Sequence, residues 1–440
     1  MKKVITYGTY DLLHEGHINL LKRAKELGDY LIVGVTSSDF DRHRGKITVQ
    51  QTLAERIQAV KDTGYADEVI PEEYLGQKID DIRHYGIDIF TVGSDWEGHF
   101  DYLREYCEVV YLDRTQGISS TDIRSEANRL RLGIVGNTPE VKKFIDETKY
   151  VSGIEISGIY PFDEGGTDFS CDDTLLVEAY ADLLHSSDAI YVACSPRNHY
   201  HMSKDALLAG KHVLCESPLA FSAEQANELF HTAKRKNVIL FEALKTAYAL
   251  AFSRMMLLVK SEHIGKVRTV RATCTSLAKK QGSRSSFFGW GPIALLPVFS
   301  SLGVHYKKTN FTTCMDREDG TDSFTQLDLL FDGAIASIIV GNGIKSEGDL
   351  VVSGTKGYIY VPSPWWKTDY FEIRYEDFSR NKRYFYQLDG EGIRFELVAF
   401  SRAIRVGSAV DSNIPQSISV ATAGLMGEFA NGAASVDYLS

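Results

Sequence analysis

Residues 7–17 read YGTYDLLHEGH, with His14 and His17 placed around Gly16 directly after a strand-like opening. The run KKVITYG before it is β-branched and ends in Gly8. INLLKRAKEL after it has apolar residues at Ile18, Leu21, Ala24 and Leu27, the spacing of one helical face. A glycine-bounded loop at the end of a strand lets backbone N–H groups come close to a phosphate, and the following helix offers its positive N-terminus. Two imidazoles a turn apart can then donate hydrogen bonds to the same phosphoryl oxygens while charge builds on them. Attack on the α-phosphate of a nucleotide requires this arrangement.

The alternation continues. YLIVGVTS, ADEVIP, IDIFTVGS and CEVVYLDR read as buried strands, with TLAERIQAVKDTG and IDDIRHYG as helices, so a doubly wound parallel sheet is expected, with ligands at the carboxyl ends of its strands. The polar helical stretch STDIRSEANRL leads into a second alternation of LGIVG, GIEISGIY, DAIYVAC, HVLCES and VILFEAL with helices such as HMSKDALLAG and AEQANELFHTAKRKN. From about residue 265 strands such as VRTVRATCTSL, FTQLDLLF, AIASIIVGN, DLVVSGTKGYIYVP and YFEIRYED predict a mostly antiparallel sheet, closed by a helix over RFELVAFSRAIRVG. The expected fold class is α/β for domains 1–128 and 129–250, followed by an α+β antiparallel-sheet domain over 251–440.

Composition limits the functions. A chain of 440 residues exceeds one ordinary core. A net charge of −11 argues against a sequence-independent nucleic-acid binder, which needs surplus Lys and Arg to displace counterions. No apolar run approaches membrane-spanning length, and the start MKKVITYGTYDLL lacks the apolar core of a signal peptide, so membrane insertion is not expected. The six cysteines are scattered with no CxxC pair, as expected of reduced thiols in a cytoplasmic protein without a metal site.

The opening stretch, with DEVIP, VGSDWEGHFD and CEVVYLDRTQGISSTDIR, resembles the HxGH nucleotidyltransferases and within them the glycerol-3-phosphate cytidylyltransferase family, over roughly residues 1–127. The resemblance implies that His14 and His17 stabilise the pentacoordinate α-phosphate and that Gly8, Thr9, Tyr10, Asp11 and Gly16 shape the nucleotide side of the loop. Arg114, with Gly117, Ile118, Ser119, Ser120 and Thr121 at a helix start, would hold the β- and γ-phosphates; SSTD is also a capping sequence, and an arginine beside a helix N-terminus clamps polyanions. Lys46 and Arg56 would be further cations near the nucleotide, although Lys46 reads equally as a solvated loop lysine. Asp95, beside Trp96, reads either as a base contact or as a capping residue. The implied reaction joins CTP and a polyol phosphate, giving CDP-glycerol and pyrophosphate for teichoic-acid-like or capsular polymer synthesis. Mg²⁺ would accompany CTP, and relatives of this kind tend to dimerise. Glu15, Tyr10 and Leu75 depart from the family pattern, which bears on the acceptor.

The segment DAIYVACSPRNHYHMSKDALLAGKHVLCESPLAF, with VSGTKGYIYVP further on, resembles the Gfo/Idh/MocA oxidoreductase family, which pairs a Rossmann domain with an antiparallel-sheet domain. The candidate second site is Gly136, Ser195, Pro196, His201, Glu216, Ser217 and His305. Four motifs depart from the pattern. Thr138 and Val141 stand where the second and third fingerprint glycines belong, and Tyr160 and Pro161 stand where an acidic ribose ligand is usual. Ser217 replaces the lysine of E-K-P, and Ser301 replaces the acid of D-x-G-x-H, whose histidine is His305. These changes favour a catalytically degenerate module, with NAD(P)H binding in question, over an enzyme that has moved its acid to Lys245, Lys307 or Tyr306. The alternative is a bifunctional chain whose C-terminal half reduces a keto precursor with NAD(P)H. His199 and His201 read as structural.

Overall fold

The computed structural model describes residues 1–13, 15–37, 49, 51–73, 76–113, 129–151, 153–162, 175–277, 285–317, 320–386, 388–409 and 412–438. The chain divides into two compact units, Met1–Arg129 with Val151–Gly153, and Leu130–Tyr150 with Ile154–Ser440.

In the first unit β1 (Lys3–Gly8), β2 (Tyr30–Thr36), β3 (Glu68–Glu72), β4 (Ile89–Gly93) and β5 (Glu108–Leu112) form a parallel sheet in the order β3-β2-β1-β4-β5. Ile5 of β1 pairs with Ile32 on one side and Phe90 on the other, and all three are fully buried, so the central strands are apolar on both faces. Helices α1 (Glu15–Glu26), α2 (Leu53–Asp62) and α3 (Gln77–Tyr85) connect the strands. The α1 helix buries Leu21 and Ala24 of the stripe expected from its sequence. A Thr52–Glu55 capping box starts α2. The strand order reverses between β1 and β4, so the crevice of an open α/β sheet lies at their carboxyl ends.

The second unit begins with another parallel sheet. Its strands are β6 (Leu130–Val135), β7 (Ile154–Tyr160), β8 (Ala189–Val192), β9 (His212–Glu216) and β10 (Leu240–Ala243), in the order β10-β9-β8-β6-β7. Leu176 adds a single parallel bridge to Ile159 at the β7 edge. Among the described residues four helices accompany the sheet, α4 (Pro139–Thr148), α5 (Tyr180–Ser186), α6 (Pro196–Leu208) and α7 (Ala223–Lys236). Tyr191, Leu214 and Phe241 are in register and share one face, where Phe144 of α4 stacks on Tyr191 with ring centroids 3.7 Å apart. Val192, Cys215 and Glu242 are likewise in register on the other face, covered by Ala206 and Leu207 of α6 and Ala226 and Leu229 of α7.

Beyond α8 (Leu250–Lys260) lies a sheet of nine strands, interrupted by α9 (Ser286–Leu302) after its first. The strands are β11 (Val267–Ser276), β12 (Lys308–Met315), β13 (Asp322–Phe331), β14 (Ala334–Asn342), β15 (Leu350–Gly354), β16 (Tyr358–Val361), β17 (Tyr370–Arg374), β18 (Lys382–Phe385) and β19 (Ala434–Tyr438). Their order is β18-β17-β16-β15-β11-β14-β13-β12-β19. The sheet is mixed, because β11 pairs with β14 and β12 with β19 in parallel. The remaining neighbours pair antiparallel, as the sequence implied. Helices α10 (Ile393–Val406) and α11 (Gln416–Ala430) return to the parallel sheet, where Phe400 meets Phe241 at 5.6 Å and Ala423 joins the opposite core.

Candidate functional site

In the first unit the loop leaving β1 is wound tightly. Tyr10 and Leu12 both take positive φ, 51° and 48°, in a region that residues with a Cβ seldom occupy. The Tyr10 ring is buried and lies over Gly8, where a Cβ would come within 2.9 Å of two ring carbons. Gly8 is thus required first by this ring. The same ring meets the His17 imidazole edge-on, with centroids 5.5 Å apart. Burial pushes the Tyr10 phenol up, so it is a neutral wall against which His17 is oriented.

The loop is held from below. Arg56 is fully buried, and its guanidinium donates to the carbonyls of Thr9 and Thr36, both at 2.7 Å, and of Gln51 at 3.2 Å. Asp11 Oδ1 accepts from the Gln51 amide at 2.9 Å, and the Leu12 amide donates to Gln51 Oε1 at 2.7 Å. Arg56, expected near the nucleotide, ties the carboxyl ends of β1 and β2 to the start of α2. Gly8, Thr9, Tyr10, Asp11, Gly16 and His17 come together at the carboxyl end of β1. His14, Lys46, Arg114, Gly117, Ile118, Ser119, Ser120 and Thr121 lie outside the described residues. Asp95 falls in the 3-10 turn Ser94–Trp96 after β4.

Sequence reasoning missed a neighbouring network. Buried Lys78 pairs with Glu72 and stands 4.5 Å over the Tyr7 ring, while Glu72 also accepts from Thr36 Oγ1 at 2.8 Å. Tyr7 donates to Asp81 at 2.7 Å. A glutamate ending β3 just before a lysine on the next helix was the available signal.

In the second unit Gly136 takes φ 121°, and a Cβ there would lie 2.5 Å from the Ala193 carbonyl oxygen. Its glycine lets the ends of β6 and β8 approach. The α4 helix starts after N-cap Thr138 and α6 after N-cap Ser195, and neither side chain caps its own helix. Two helix N-termini therefore open at the carboxyl ends of the two central strands, which fits the pyrophosphate of a dinucleotide. Val141 is fully buried, so the third fingerprint position is filled by a packing side chain. After β7 the chain continues Pro161–Phe162, with Tyr160 stacked on Tyr180 at 5.8 Å; Asp163 lies outside the described residues.

The candidate residues separate. His201 is exposed on α6. His199, two residues earlier, is the buried histidine: its ring nitrogens lie 2.8 Å from the Pro218 carbonyl and 2.9 Å from the Cys194 carbonyl, tying the Ser217–Pro218 turn to the end of β8. His305, grouped with these residues as a candidate for the second site, is exposed beyond the C-terminal end of α9. The opposite end of α9 is the one near that turn, through Phe288 on Phe221. The helix is 17 residues long, so about 25 Å separates its two ends.

Glu216 and Ser217 remain at the carboxyl end of β9, on opposite faces. Tyr191 donates to Glu216, with Glu396 of α10 nearby. Ser217 Oγ donates to Glu242 Oε1 at 2.5 Å. Both Glu242 and Glu396 are buried, and burial raises their pKa values. The cations expected as a relocated acid are engaged in ion pairs: Lys245 with Glu391 at 2.6 Å and Lys307 with Asp332 at 2.8 Å. Tyr306 donates to Glu428 at 3.1 Å, and burial raises its phenol to about 12. Lys367 pairs with the same Glu391 at 2.5 Å, and its carboxyl is held down at about 2, burial being outweighed by the two lysines. Among the described residues no His, Cys, Asp or Glu group is arranged to hold a metal ion, and no helix is long and apolar enough to cross a membrane.

Residues 5–126 match the family described as cytidylyltransferase-like, and residues 132–244 that described as oxidoreductase family, NAD-binding Rossmann fold. A glycerol-3-phosphate cytidylyltransferase of Staphylococcus aureus (strain NCTC 8325) is 51% identical over 126 residues, covering 29% of this chain and 95% of the relative. One of Bacillus subtilis (strain 168) is 52% identical over 126 residues, covering 29% of this chain and 97% of the relative. The crystal structure of KijD10, a 3-ketoreductase from Actinomadura kijaniata in complex with NADP and TDP-benzene, superposes with a TM-score of 0.61 at 19% identity, over 71% of this chain and all of that one. At that identity the likeness is one of fold.

Proposed function

We propose, for a chain that belongs to the cytidylyltransferase-like family through residues 5–126, the transfer of CMP from CTP to sn-glycerol 3-phosphate, giving CDP-glycerol and pyrophosphate. The chain is an enzyme: a cytidylyltransferase domain fused to a Gfo/Idh/MocA oxidoreductase domain. The observation that carries the acceptor is the 51% identity over 95% of the staphylococcal relative's length. His17, oriented by Tyr10, donates to the α-phosphate, and His14 is assigned the same role. Arg56 shapes the loop through its carbonyl bonds. The acceptor phosphate is already an anion, so positioning and charge stabilisation supply the rate without a strong base. Arg114 and Lys46 are assigned to the leaving pyrophosphate, and Mg²⁺ enters with CTP as its counter-ion.

Pyrophosphate release from MgCTP tests this with glycerol 3-phosphate, ribitol 5-phosphate and ethanolamine phosphate as acceptors. Glycerol 3-phosphate should be preferred, and His17→Ala should lower turnover about 100-fold or more. Preference for another acceptor would refute the assignment.

A second reading concerns the C-terminal half. It is that of an NAD(P)H-dependent reductase making a polyol phosphate, with Gly136, Thr138 and Ser195 around the dinucleotide phosphates. What supports it over a degenerate module is that α4 and α6 both start at the carboxyl ends of β6 and β8, together with the carboxyl partner of Ser217. Reduced nicotinamide would supply the hydride; the chain must supply the proton.

A further inference from the structure

We infer that Ser217 and Glu242 form a proton-donating pair in the second unit, which stands in for the lysine missing at position 217 and serves the reduction of a ketone to a secondary alcohol. The inference rests on the reductase reading above.

The geometry is a consequence of strand register. Glu216 of β9 pairs with Ala243 of β10, and Cys215 with Glu242. Side chains alternate, so Ser217, one residue past Glu216, returns to the face that Glu242 occupies. Its hydroxyl lies 2.5 Å from Glu242 Oε1. Ser217 is half-buried at the carboxyl end of the sheet, whereas Glu242 behind it is 4% exposed. An accessible hydroxyl thus sits in front of a carboxyl that water scarcely reaches.

The groups facing Glu242 are polar and uncharged except for Glu216. The Leu219 amide donates to Oε1 at 3.3 Å, Ser419 of α11 stands beside the carboxyl, and Glu216 opposes its ionisation from the other face. Burial, with no cation among these groups to offset it, raises the Glu242 pKa and favours the protonated carboxyl. His199 fixes the turn that presents Ser217, through its contact with the Pro218 carbonyl.

A serine alone is too weak an acid for this task. A serine backed by a carboxylic acid can pass a proton on, because its hydroxyl rotates and each transfer is matched by another. The ketone carbon takes a hydride from reduced nicotinamide and the carbonyl π pair moves to oxygen. That oxygen takes the Ser217 proton, Ser217 Oγ takes the proton of Glu242, and once the alcohol has left the carboxylate regains a proton from solvent through the Ser217 hydroxyl. Ketone, NAD(P)H and one proton become alcohol and NAD(P)⁺.

The test uses the full chain and its Ser217→Ala, Glu242→Gln and Ser217→Lys variants. The infrared spectrum at neutral pH should contain a protonated-carboxyl band that disappears in Glu242→Gln and shifts in Ser217→Ala, with no substrate present. NADPH binding should be the same in all four proteins. With dihydroxyacetone phosphate, ribulose 5-phosphate and xylulose 5-phosphate as ketones, Ser217→Ala and Glu242→Gln should lower kcat about 100-fold and Ser217→Lys should restore it. A kcat unchanged in Ser217→Ala and Glu242→Gln, absence of the band, or no reduction of any ketone would overturn the pair. No NADPH binding at all would overturn the reductase reading with it, while pyrophosphate release reports separately on the first unit.

Discussion

The two parallel sheets solve one problem with opposite charges. At the carboxyl end of β1 the loop is held by Arg56, a buried cation bonded to three carbonyls. At the carboxyl ends of β9 and β10 the buried groups are Glu242 and Glu396, carboxyls bonded to a hydroxyl and to amides. A guanidinium keeps its charge at any ordinary pH, whereas a buried carboxyl avoids desolvation by keeping its proton. The clamp beneath the first loop therefore keeps its charge at any ordinary pH, whereas the buried carboxyls of the second unit are groups whose charge depends on pH.

The largest effect should come from removing the cation. Arg56→Ala takes the guanidinium away from three carbonyls, two of these bonds being buried, and should lower the stability of the first unit by about 3 kcal/mol or more. CMP transfer should then fall by orders of magnitude while the second unit keeps its folding transition in calorimetry. A variant that transfers CMP normally would remove Arg56 from its role as clamp. Arg56→Lys should rescue only part of the loss, because an ammonium lacks the planar fork.

Glu391 is the next test, since it is a carboxyl of the second unit that does hold its charge. Its folded pKa is depressed from 4.5 to about 2, so its contribution is present above 4.5 and is lost as pH falls towards 2. Glu391→Gln should destabilise the second unit by about 1 kcal/mol at pH 7 and have little effect near pH 2 in urea titrations. Equal effects at both pH values would argue against an ionic clamp.

Glu396 has the opposite sign. Its folded pKa is raised, so the folded state holds a proton that the unfolded chain releases above about pH 4.3, and stability falls as pH rises from there. Glu396→Gln should raise Tm by about 2 °C or more at pH 8 and change it less at pH 5. Equal shifts would mean that Glu396 does not titrate in this range. The smallest effect belongs to Tyr10→Phe, which retains the ring against Gly8 and His17. CMP transfer should stay within about threefold, and a large loss would give the phenol hydroxyl a role beyond packing.

Strand and helix alternation made both parallel sheets legible, because their central strands are apolar on both faces and their helices amphipathic. The α9 helix was not legible. It contains Pro292 and Pro297 and is buried nearly all round, so it has neither an uninterrupted backbone pattern nor a stripe. The α11 helix, QSISVATAGLMGEFA, is rich in small residues and was missed for a similar reason. The parallel edge strand β19 depends on a partner more than 100 residues away, which no local pattern records. In the site the same limit applies. Ser217 was legible as a lost lysine, but Glu242 lies on another strand, and only the β9–β10 register makes them neighbours. A motif spaced by a few residues located His17; a pair spaced by 25 escaped notice.

The pairing of Phe311 with Ala434 also bears on how the protein is made. On the ribosome β12 emerges long before β19, and in that interval its outer edge carries unpaired amide and carbonyl groups that another chain can bind. The vulnerable species during synthesis is thus a nearly finished second unit, at a stage when the first sheet has had time to close. Deleting residues 431–440 would make that interval permanent, and the truncated protein should aggregate at its β12 edge.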